Sequence, residues 1–169
     1  MKKTLISLLF TAVLGILAGC TKSGNIIYED GIASKVYFVQ AATAQVAEVS
    51  EESLDESGTV AFCIYNAGNN EGDITVSVSA DPDALDIYNV ENGTSYQMLP
   101  EKYWYLAGDT FVMDTRENYQ AFVPVYLDFV AMHTDAIDAG SYLLPLSVST
   151  PDLNNITYDY KTLFVKVVL

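Results

Sequence analysis

The chain of 169 residues carries 22 acidic and 8 basic side chains, which gives a formal net charge of −14 at pH 7. This balance excludes nucleic acid as a partner and a polybasic grip on anionic lipid, because phosphate-binding surfaces need clustered Lys or Arg. The length suits one domain with a single core. We expect a soluble monomer whose copies repel one another.

The first twenty residues have the layout of a secretory signal peptide. Lys2 and Lys3 give a positive start, an apolar run follows, and small residues precede Cys20. A bilayer-spanning helix needs ~20 apolar residues, so this run of ~13 is too short to be a transmembrane anchor. We therefore predict that residues 1–19 are removed on export.

A Cys at the cut site resembles the lipobox of bacterial lipoproteins. The resemblance implies that Cys20 receives a diacylglyceryl group and becomes the mature N-terminus, so the membrane is a partner through a lipid anchor. Several acyl chains on one residue give stable anchoring. Residues 20–34 mix Gly, Ser, Lys and acidic residues without a period. We expect them to be an acylated tether before a domain at residues 35–169.

Strand patterns begin directly after the tether. Residues 35–41 are rich in β-branched and aromatic side chains and predict the first strand. Residues 48–56 hold five carboxylates but lack the spacing and the turn glycine of a calcium loop, so we expect a solvated acidic loop. Residues 59–65 form an apolar run that is typical of a strand covered on both faces, with Cys63 as a small buried side chain.

The clearest alternation follows at residues 74–79, where apolar and hydroxyl side chains take turns and predict a strand with one face toward the core. Asp81 and Pro82 have the positions of an N-cap and a first-turn proline. They predict a short helix that ends near Asn89. Residues 111–114 predict a short strand.

Three longer strands are predicted in the second half of the chain. Residues 121–129 alternate, with Pro124 on the outer face, and a residue without an N–H predicts an edge strand or a bulge. Residues 142–148 alternate in the same way, also with a proline facing outward, and residues 163–169 close the domain. Between the first two of these strands, Thr134 predicts the N-cap of a single helical turn.

The whole pattern consists of seven or eight short strands separated by turn signals, with one or two short helices and no visible repeat. That pattern is typical of an all-β, antiparallel β-sandwich. Strands that contain proline favour an open sheet over a closed barrel.

Four short motifs in the middle of the domain together resemble one family of Bacteroidetes surface lipoproteins. The motifs are Tyr88-Asn89, Asn92-Gly93-Thr94-Ser95-Tyr96, Leu99-Pro100 and Tyr142-Leu143-Leu144-Pro145-Leu146. That family is the immunoglobulin-like domain of unknown function that commonly begins proteins with a second, endoglycosidase-like or carbohydrate-binding domain. The resemblance implies an immunoglobulin-like β-sandwich at the outer membrane, with polysaccharide or outer-membrane glycan-uptake proteins as partners.

The family carries no agreed catalytic residues, and the chain stops where the sandwich stops. We therefore expect a non-catalytic accessory or binding domain, without the activity that family members hold in a second domain. Which face of the outer membrane carries it stays open. Surface-exported lipoproteins of these bacteria tend to carry acidic residues directly after the lipidated cysteine, whereas the first acidic residue after Cys20 is Glu29.

The residue chemistry gives no signature of an enzyme. His133 is the only histidine, which excludes His-pair zinc sites, and we expect neither a metal nor a cofactor. The sequence has no G-x-S-x-G motif and no phosphate-cradling glycine loop that ends in Lys-Ser or Lys-Thr. Carboxylates are abundant, but abundance is not evidence of a glycosidase pair.

Sugar recognition is the binding chemistry that the sequence favours, because sugar rings stack on flat aromatic side chains. The candidates are Tyr103, Trp104 and Tyr105, with Tyr96 and Tyr119 as weaker ones near turns. Alternation would place Tyr103 and Tyr105 on one face of a strand and Trp104 on the other. The alternative, in which all three pack between helix and sheet, is favoured because aromatic side chains dominate protein cores.

A structural subunit is the alternative function. Fimbrillin-like lipoproteins of the same bacteria are also β-sandwiches, and they polymerise after a protease cut that resembles cleavage after an arginine near the first strand. Arg116 is the only arginine and lies far inside the domain, so no such site precedes Lys35. This alternative therefore ranks second.

Overall fold

The computed structural model describes residues 35–68, 72–114 and 116–169. The predictions of a signal peptide, of lipid attachment at Cys20 and of a tether lie outside the described residues. Within the described ranges, no helix combines the length and the apolar character needed to cross a membrane.

Ten strands in the described residues form two sheets. They are β1 (Lys35–Phe38), β2 (Val46–Ser50), β3 (Thr59–Ala67), β4 (Ile74–Ala80), β5 (Gln97–Met98), β6 (Trp104–Leu106), β7 (Thr110–Met113), β8 (Gln120–Leu127), β9 (Tyr142–Ser149) and β10 (Thr162–Val168). The smaller sheet has the order β1-β3-β8-β6, and the larger has the order β2-β10-β9-β4-β7 with β5 beside β9. Paired strands are antiparallel except β2 with β10 and β5 with β9. The predicted all-β sandwich is confirmed, and the short strands β2, β5 and β6 bring the number above the seven or eight expected.

The core lies between the two sheets. Inward residues of the smaller sheet, such as Phe62, Ile64 and Val125, belong to one buried cluster with Val78 and Leu146 of the larger sheet. Each fully buried aliphatic or aromatic side chain stabilises the fold by roughly 1.5–3 kcal/mol relative to an exposed one. Alternation therefore sets which face of each strand of the smaller sheet lies inside. In the larger sheet, β9 and β10 are buried on both faces, so the prediction that Pro145 faces outward to solvent is wrong.

The helix α1 (Pro82–Asn92) follows β4 and lies on the outer side of the larger sheet. Asp81 caps it by accepting a hydrogen bond from a first-turn N–H at 3.1 Å, and Gly93 ends it at a φ of 64°. On its inner side, Leu85 packs against Phe164. The predicted helix is confirmed and runs slightly further than expected.

Both strand prolines lie in internal strands, so the prediction that Pro124 marks an edge strand or a bulge is wrong. The Pro124 carbonyl accepts a hydrogen bond from the Ala107 N–H at 2.9 Å, just past the end of β6. The Pro145 carbonyl accepts one from the Asp81 N–H at 3.0 Å, just past the end of β4. Because the nitrogen and carbonyl of a strand residue point to the same side, each proline turns its missing N–H toward a place where the neighbouring strand has ended.

The second helix, α2 (Phe129–Thr134), begins earlier than predicted. Asp128 is its N-cap and accepts a hydrogen bond from the Ala131 N–H at 2.8 Å. The prediction that Thr134 is an N-cap is wrong, because Thr134 is the last helical residue. The buried side chain of Phe129 explains why the apolar alternation of β8 continues into the helix.

Of two further predictions about the surface, one holds only in part and the other is wrong. The start of the expected acidic loop belongs to β2, where Glu48 lies 3.5 Å from Lys166 of the neighbouring strand. β3 is covered on one face only, because Ala61 is exposed and Cys63 is half-buried on the outer face. The outer face of the four-stranded sheet is therefore open to solvent.

Candidate functional site

The predicted aromatic segment starts with a 3-10 turn, Glu101–Tyr103, that changes which way its side chains point. Tyr103 belongs to this turn and is buried, whereas Trp104 and Tyr105 begin β6. The prediction that Tyr103 and Tyr105 share a face is therefore wrong, since alternation starts only after the turn. The three adjacent aromatic side chains enter three different environments.

Tyr103 joins the start of β6 to the end of α2. Its ring is 2% exposed, and its hydroxyl donates a hydrogen bond to Asp135 Oδ2 at 2.8 Å. Lys102 Nζ lies 2.6 Å from the same oxygen and 4.6 Å from the centroid of the Tyr103 ring. The hydrogen bonds from Lys102 and Tyr103 lower the pKa of the Asp135 carboxyl, and the bond to Asp135 raises the pKa of Lys102. So little exposed ring leaves no surface for a ligand.

Trp104 and Tyr96 also pack against the fold. The Trp104 side chain lies half-buried against the core, and its Nε1–H donates to the Leu99 carbonyl at 3.0 Å. Tyr96 lies half-buried beside α1, with its ring centroid 6.3 Å from that of Tyr88. Both side chains support the connections around β5.

The motif residues that follow α1 form a clamp around Asn89. Its Nδ2 donates to the Tyr96 carbonyl at 2.8 Å, and its Oδ1 accepts from the Tyr96 N–H and the Thr94 hydroxyl, both at 2.9 Å. Gly93 supplies the left-handed turn at the end of the helix. Much of the motif on which the resemblance rests therefore shapes the connection from α1 to β5.

Tyr105 points outward and stacks on Tyr126 of the neighbouring strand. The two residues are opposite each other in the register of β6 and β8, and their ring centroids are 4.7 Å apart with 22° between the planes. Gly58 makes room for this pair, because a Cβ built there would lie 3.0 Å from Tyr126 Cε2. Tyr105 remains 54% exposed.

A row of four tyrosines lies at the opposite end of the same sheet. The ring centroids of Tyr119 and Tyr65 are 5.5 Å apart, those of Tyr65 and Tyr37 are 5.9 Å apart, and those of Tyr37 and Tyr160 are 6.3 Å apart. Desolvation is the main cause of a raised pKa at Tyr37, and the neighbouring Tyr65 and Cys63 raise the pKa further. The outermost members, Tyr119 and Tyr160, are 38% and 39% exposed.

Of these tyrosines, the sequence prediction included only Tyr105 and Tyr119. It missed Tyr37 and Tyr65, although both occupy outward positions of predicted strands next to buried apolar neighbours. That alternation was the available signal. Their pairing across β1 and β3 depends on strand register, which local sequence does not show.

The outer side of the four-stranded sheet and its two flanking rings form one surface, which we call the tyrosine face. Its members are Lys35, Tyr37, Thr59, Ala61, Cys63, Tyr65, Ala67, Tyr105, Tyr119, Gln120, Phe122, Pro124, Tyr126 and Tyr160. No member of the tyrosine face carries a carboxylate, although the chain has 22 acidic residues. The tyrosine face is therefore a largely uncharged, aromatic surface on an acidic protein.

Two recesses open on the protein surface, one beside α1 and one beside Tyr126. The helix cleft, of about 410 Å³, lies between α1 and the segment before β10, and its lining includes Tyr88, Glu91 and Tyr158. The acidic recess, of about 330 Å³, lies at the Tyr126 end of the tyrosine face, and its lining includes Glu56. No group of three or more His, Cys, Asp or Glu side chains in the described ranges is arranged to hold a metal ion.

Several solved structures from Bacteroides share this fold. A proposed carbohydrate-binding protein and a protein of unknown function, both from Bacteroides ovatus, each match 79% of this chain at 23% identity and a TM-score of 0.58. Bacteroides thetaiotamicron EndoBT-3987, solved with a Man5GlcNAc product, matches 78% at 14% identity and a TM-score of 0.55. This chain spans 36%, 44% and 30% of those three chains, in that order. Such identities establish a shared fold.

No curated protein matches the sequence. A family of N-terminal domains, described as "-like, N-terminal domain", matches residues 28–155, which is most of the chain. With this match the chain belongs to that N-terminal domain family, and the predicted resemblance to an N-terminal domain of Bacteroides proteins is confirmed.

Proposed function

We propose that this chain is a non-catalytic accessory domain that recognises glycan at the cell envelope of a Bacteroidetes-type bacterium. The tyrosine face is its sugar-binding surface. One observation carries the proposal: an open sheet face rich in tyrosine and without carboxylates, on a protein with a net charge of −14. A polysaccharide, or an outer-membrane protein of glycan uptake that presents one, is the partner.

Tyrosine suits this task because each ring offers an apolar face to sugar C–H groups and a hydroxyl to sugar oxygens. The Tyr105–Tyr126 stack holds two such rings in place before any ligand arrives. Rings that are already ordered lose little conformational freedom on binding, so more of the contact energy appears as affinity.

The solved relatives support a role close to glycans. One is a proposed carbohydrate-binding protein, and another was solved with a Man5GlcNAc product. This chain covers 36% and 30% of those proteins, so the domain that they share is the part to which the proposal applies. We assign recognition to this shared domain and leave any chemistry to the remaining parts of those relatives.

A non-catalytic role agrees with the chemistry of the proposed surface. Glycoside hydrolysis uses two carboxyl groups that flank the scissile bond. The tyrosine face offers hydroxyl, aromatic and amide groups, and its charged member is Lys35. His133 lies in α2, outside that surface.

Lipid attachment at Cys20 would hold this surface at the membrane. Mass spectrometry of the native protein tests this part of the proposal. A diacylglyceryl group on an N-terminal Cys20 is the expected result, and it would also oppose the alternative of a pilus subunit. A mature N-terminus without lipid would contradict anchoring.

A glycan array of the full chain in detergent, run beside a pull-down from envelope extract, tests the function. We expect binding to neutral polysaccharide, weaker binding in Tyr105→Ala, and unchanged binding in Tyr158→Ala, a residue that is 68% exposed beside the helix cleft. Capture of one envelope protein together with no polysaccharide binding would overturn the proposal of glycan recognition.

A further inference from the structure

We infer that the tyrosine face takes an extended, uncharged oligosaccharide chain that lies along β8 and contacts aromatic rings at both ends of the face. The inference rests on the proposed function and adds the class of ligand. It starts from the positions of the two aromatic groups within one sheet.

The two groups lie at opposite ends of β8. Tyr65, in the middle of the four-tyrosine row, is opposite Gln120, the first residue of β8. Tyr105 is opposite Tyr126, the last residue but one. At ~3.4 Å per strand residue, the two groups are ~20 Å apart. One sugar ring is about as wide as one tyrosine ring and cannot touch both groups, whereas a chain of several sugar units can.

The surface between the two aromatic groups is flat and largely apolar. Phe122, which is 60% exposed, and Pro124 are the outward residues of β8 there. On the neighbouring strand, Ala61 and Cys63 have small side chains that do not rise above the sheet. A linear chain therefore has an unobstructed path with an aromatic contact at its midpoint.

The distribution of carboxylates around the tyrosine face indicates the charge of the ligand. The tyrosine face has no carboxylate, but Glu51, Glu56 and Asp128 line the acidic recess beside Tyr126. Carboxylates accept hydrogen bonds from sugar hydroxyls and repel carboxylated or sulfated sugars. The ligand is therefore a neutral glycan, with its last units beside the recess.

A second copy of this chain fits the same face less well. Two copies would each bring a net charge of −14, and their repulsion opposes a close contact between identical faces.

The test is a calorimetric titration of the full chain in detergent with gluco-, manno- and xylo-oligosaccharides, each graded from disaccharide to octasaccharide, and with polygalacturonate as the anionic probe. In the series that binds, we expect the Kd to fall about tenfold or more between the shortest and the longest ligand, because the second contact becomes intramolecular. Tyr65→Ala and Tyr105→Ala should each remove that gain, and Tyr158→Ala should keep it. Thermal melting of each variant separates lost binding from lost folding.

Equal affinity for short and long ligands, or preferential binding of polygalacturonate, would overturn this inference while leaving glycan recognition in place. Binding to none of the probes, together with a dimer in analytical ultracentrifugation that Tyr105→Ala dissociates, would overturn the proposed function as well. The two failures are therefore distinguishable.

Discussion

Tyr105 and Tyr126 stack across β6 and β8 with ring centroids 4.7 Å apart, although β7 separates the two strands in sequence. Opposite positions in an antiparallel pair bring side chains close enough to interact on one face. The contact fixes two rings at the rim of an open sheet. Its centroid separation is the shortest among the ring pairs of the tyrosine face, and Gly58 lies against the Tyr126 ring.

Gly58→Ala should lower stability and displace the Tyr126 ring. Gly58 has a φ of +76°, and an alanine in that region costs about 1–2 kcal/mol. The new Cβ would also lie 3.0 Å from Tyr126 Cε2, so the ring must move. Urea unfolding measures the loss of stability, and near-ultraviolet circular dichroism reports the environment of the tyrosines.

Gly93→Ala is the matched control for this change. Gly93 has a φ of +64°, but a Cβ there meets no atom within 4 Å. We expect a similar loss of stability, with the tyrosine signal and glycan binding unchanged. Equal effects of the two substitutions on the tyrosine signal would mean that Gly58 does not position Tyr126.

Trp104→Ala and Tyr105→Ala should separate stability from binding. Trp104 packs against the core and donates to the Leu99 carbonyl, so its loss should cost about 2–3 kcal/mol, somewhat less than a fully buried aromatic side chain. Tyr105 is exposed apart from its stack on Tyr126, and its loss should lower stability by about 1 kcal/mol or less while weakening glycan binding. Chemical unfolding and the glycan array check the two effects. A stable Trp104→Ala variant that loses binding would return Trp104 to the list of ligand contacts.

Asp135 should make the fold sensitive to acid. Hydrogen bonds from Lys102 and Tyr103 hold the Asp135 pKa below its ordinary value. Its contribution to stability is therefore fully present above the unfolded pKa of about 3.9 and is lost as the pH falls through the lower, folded value. Asp135→Asn should be less stable than the natural chain at pH 6, and the difference should shrink toward pH 2.

Thermal melting between pH 6 and pH 2 measures this dependence. Lys102→Met removes the largest cause of the shift, so it should move the acid transition toward higher pH. Parallel melting curves for Asp135→Asn and the natural chain at every pH would show that the cluster does not contribute.

Asn89→Ala should loosen the connection after α1 without affecting the tyrosine face. The substitution removes three hydrogen bonds that hold Thr94 and Tyr96, with an expected cost of about 1–3 kcal/mol. Hydrogen exchange should show faster opening of β5 and the end of α1. Asn92→Ala, which removes one exposed bond to the Tyr88 carbonyl, is the milder control. Loss of glycan binding in folded Asn89→Ala would place the motif in the binding site.

The local sequence was sufficient to predict an element of secondary structure wherever one short segment determines that element. The alternation of β4 and the Asp81-Pro82 start of α1 depend on neighbouring residues only, and both predictions are confirmed. The prolines show the limit of such reasoning. Whether Pro124 harms a sheet depends on where β6 ends beside it, which is a property of the assembled sheet.

The candidate site was harder to predict for the same reason. The tyrosine face joins residues from β1, β3, β6 and β8, and strand register alone brings Tyr37 beside Tyr65. The 3-10 turn at Glu101–Tyr103 sends the side chains of three adjacent aromatic residues in different directions. These residues are Tyr103, Trp104 and Tyr105. Of the three aromatic residues that are adjacent in the sequence, Tyr105 is the one that faces outward there.

The most direct test of the central claim is to map where a neutral glycan binds. The full chain, labelled with carbon-13 at its tyrosine rings, would be titrated in detergent with a neutral octasaccharide and followed by nuclear magnetic resonance. The account predicts concentration-dependent shifts of Tyr65, Tyr105 and Tyr126 while Tyr158 stays unchanged. Shifts confined to Tyr88 and Tyr158 in the helix cleft would contradict it.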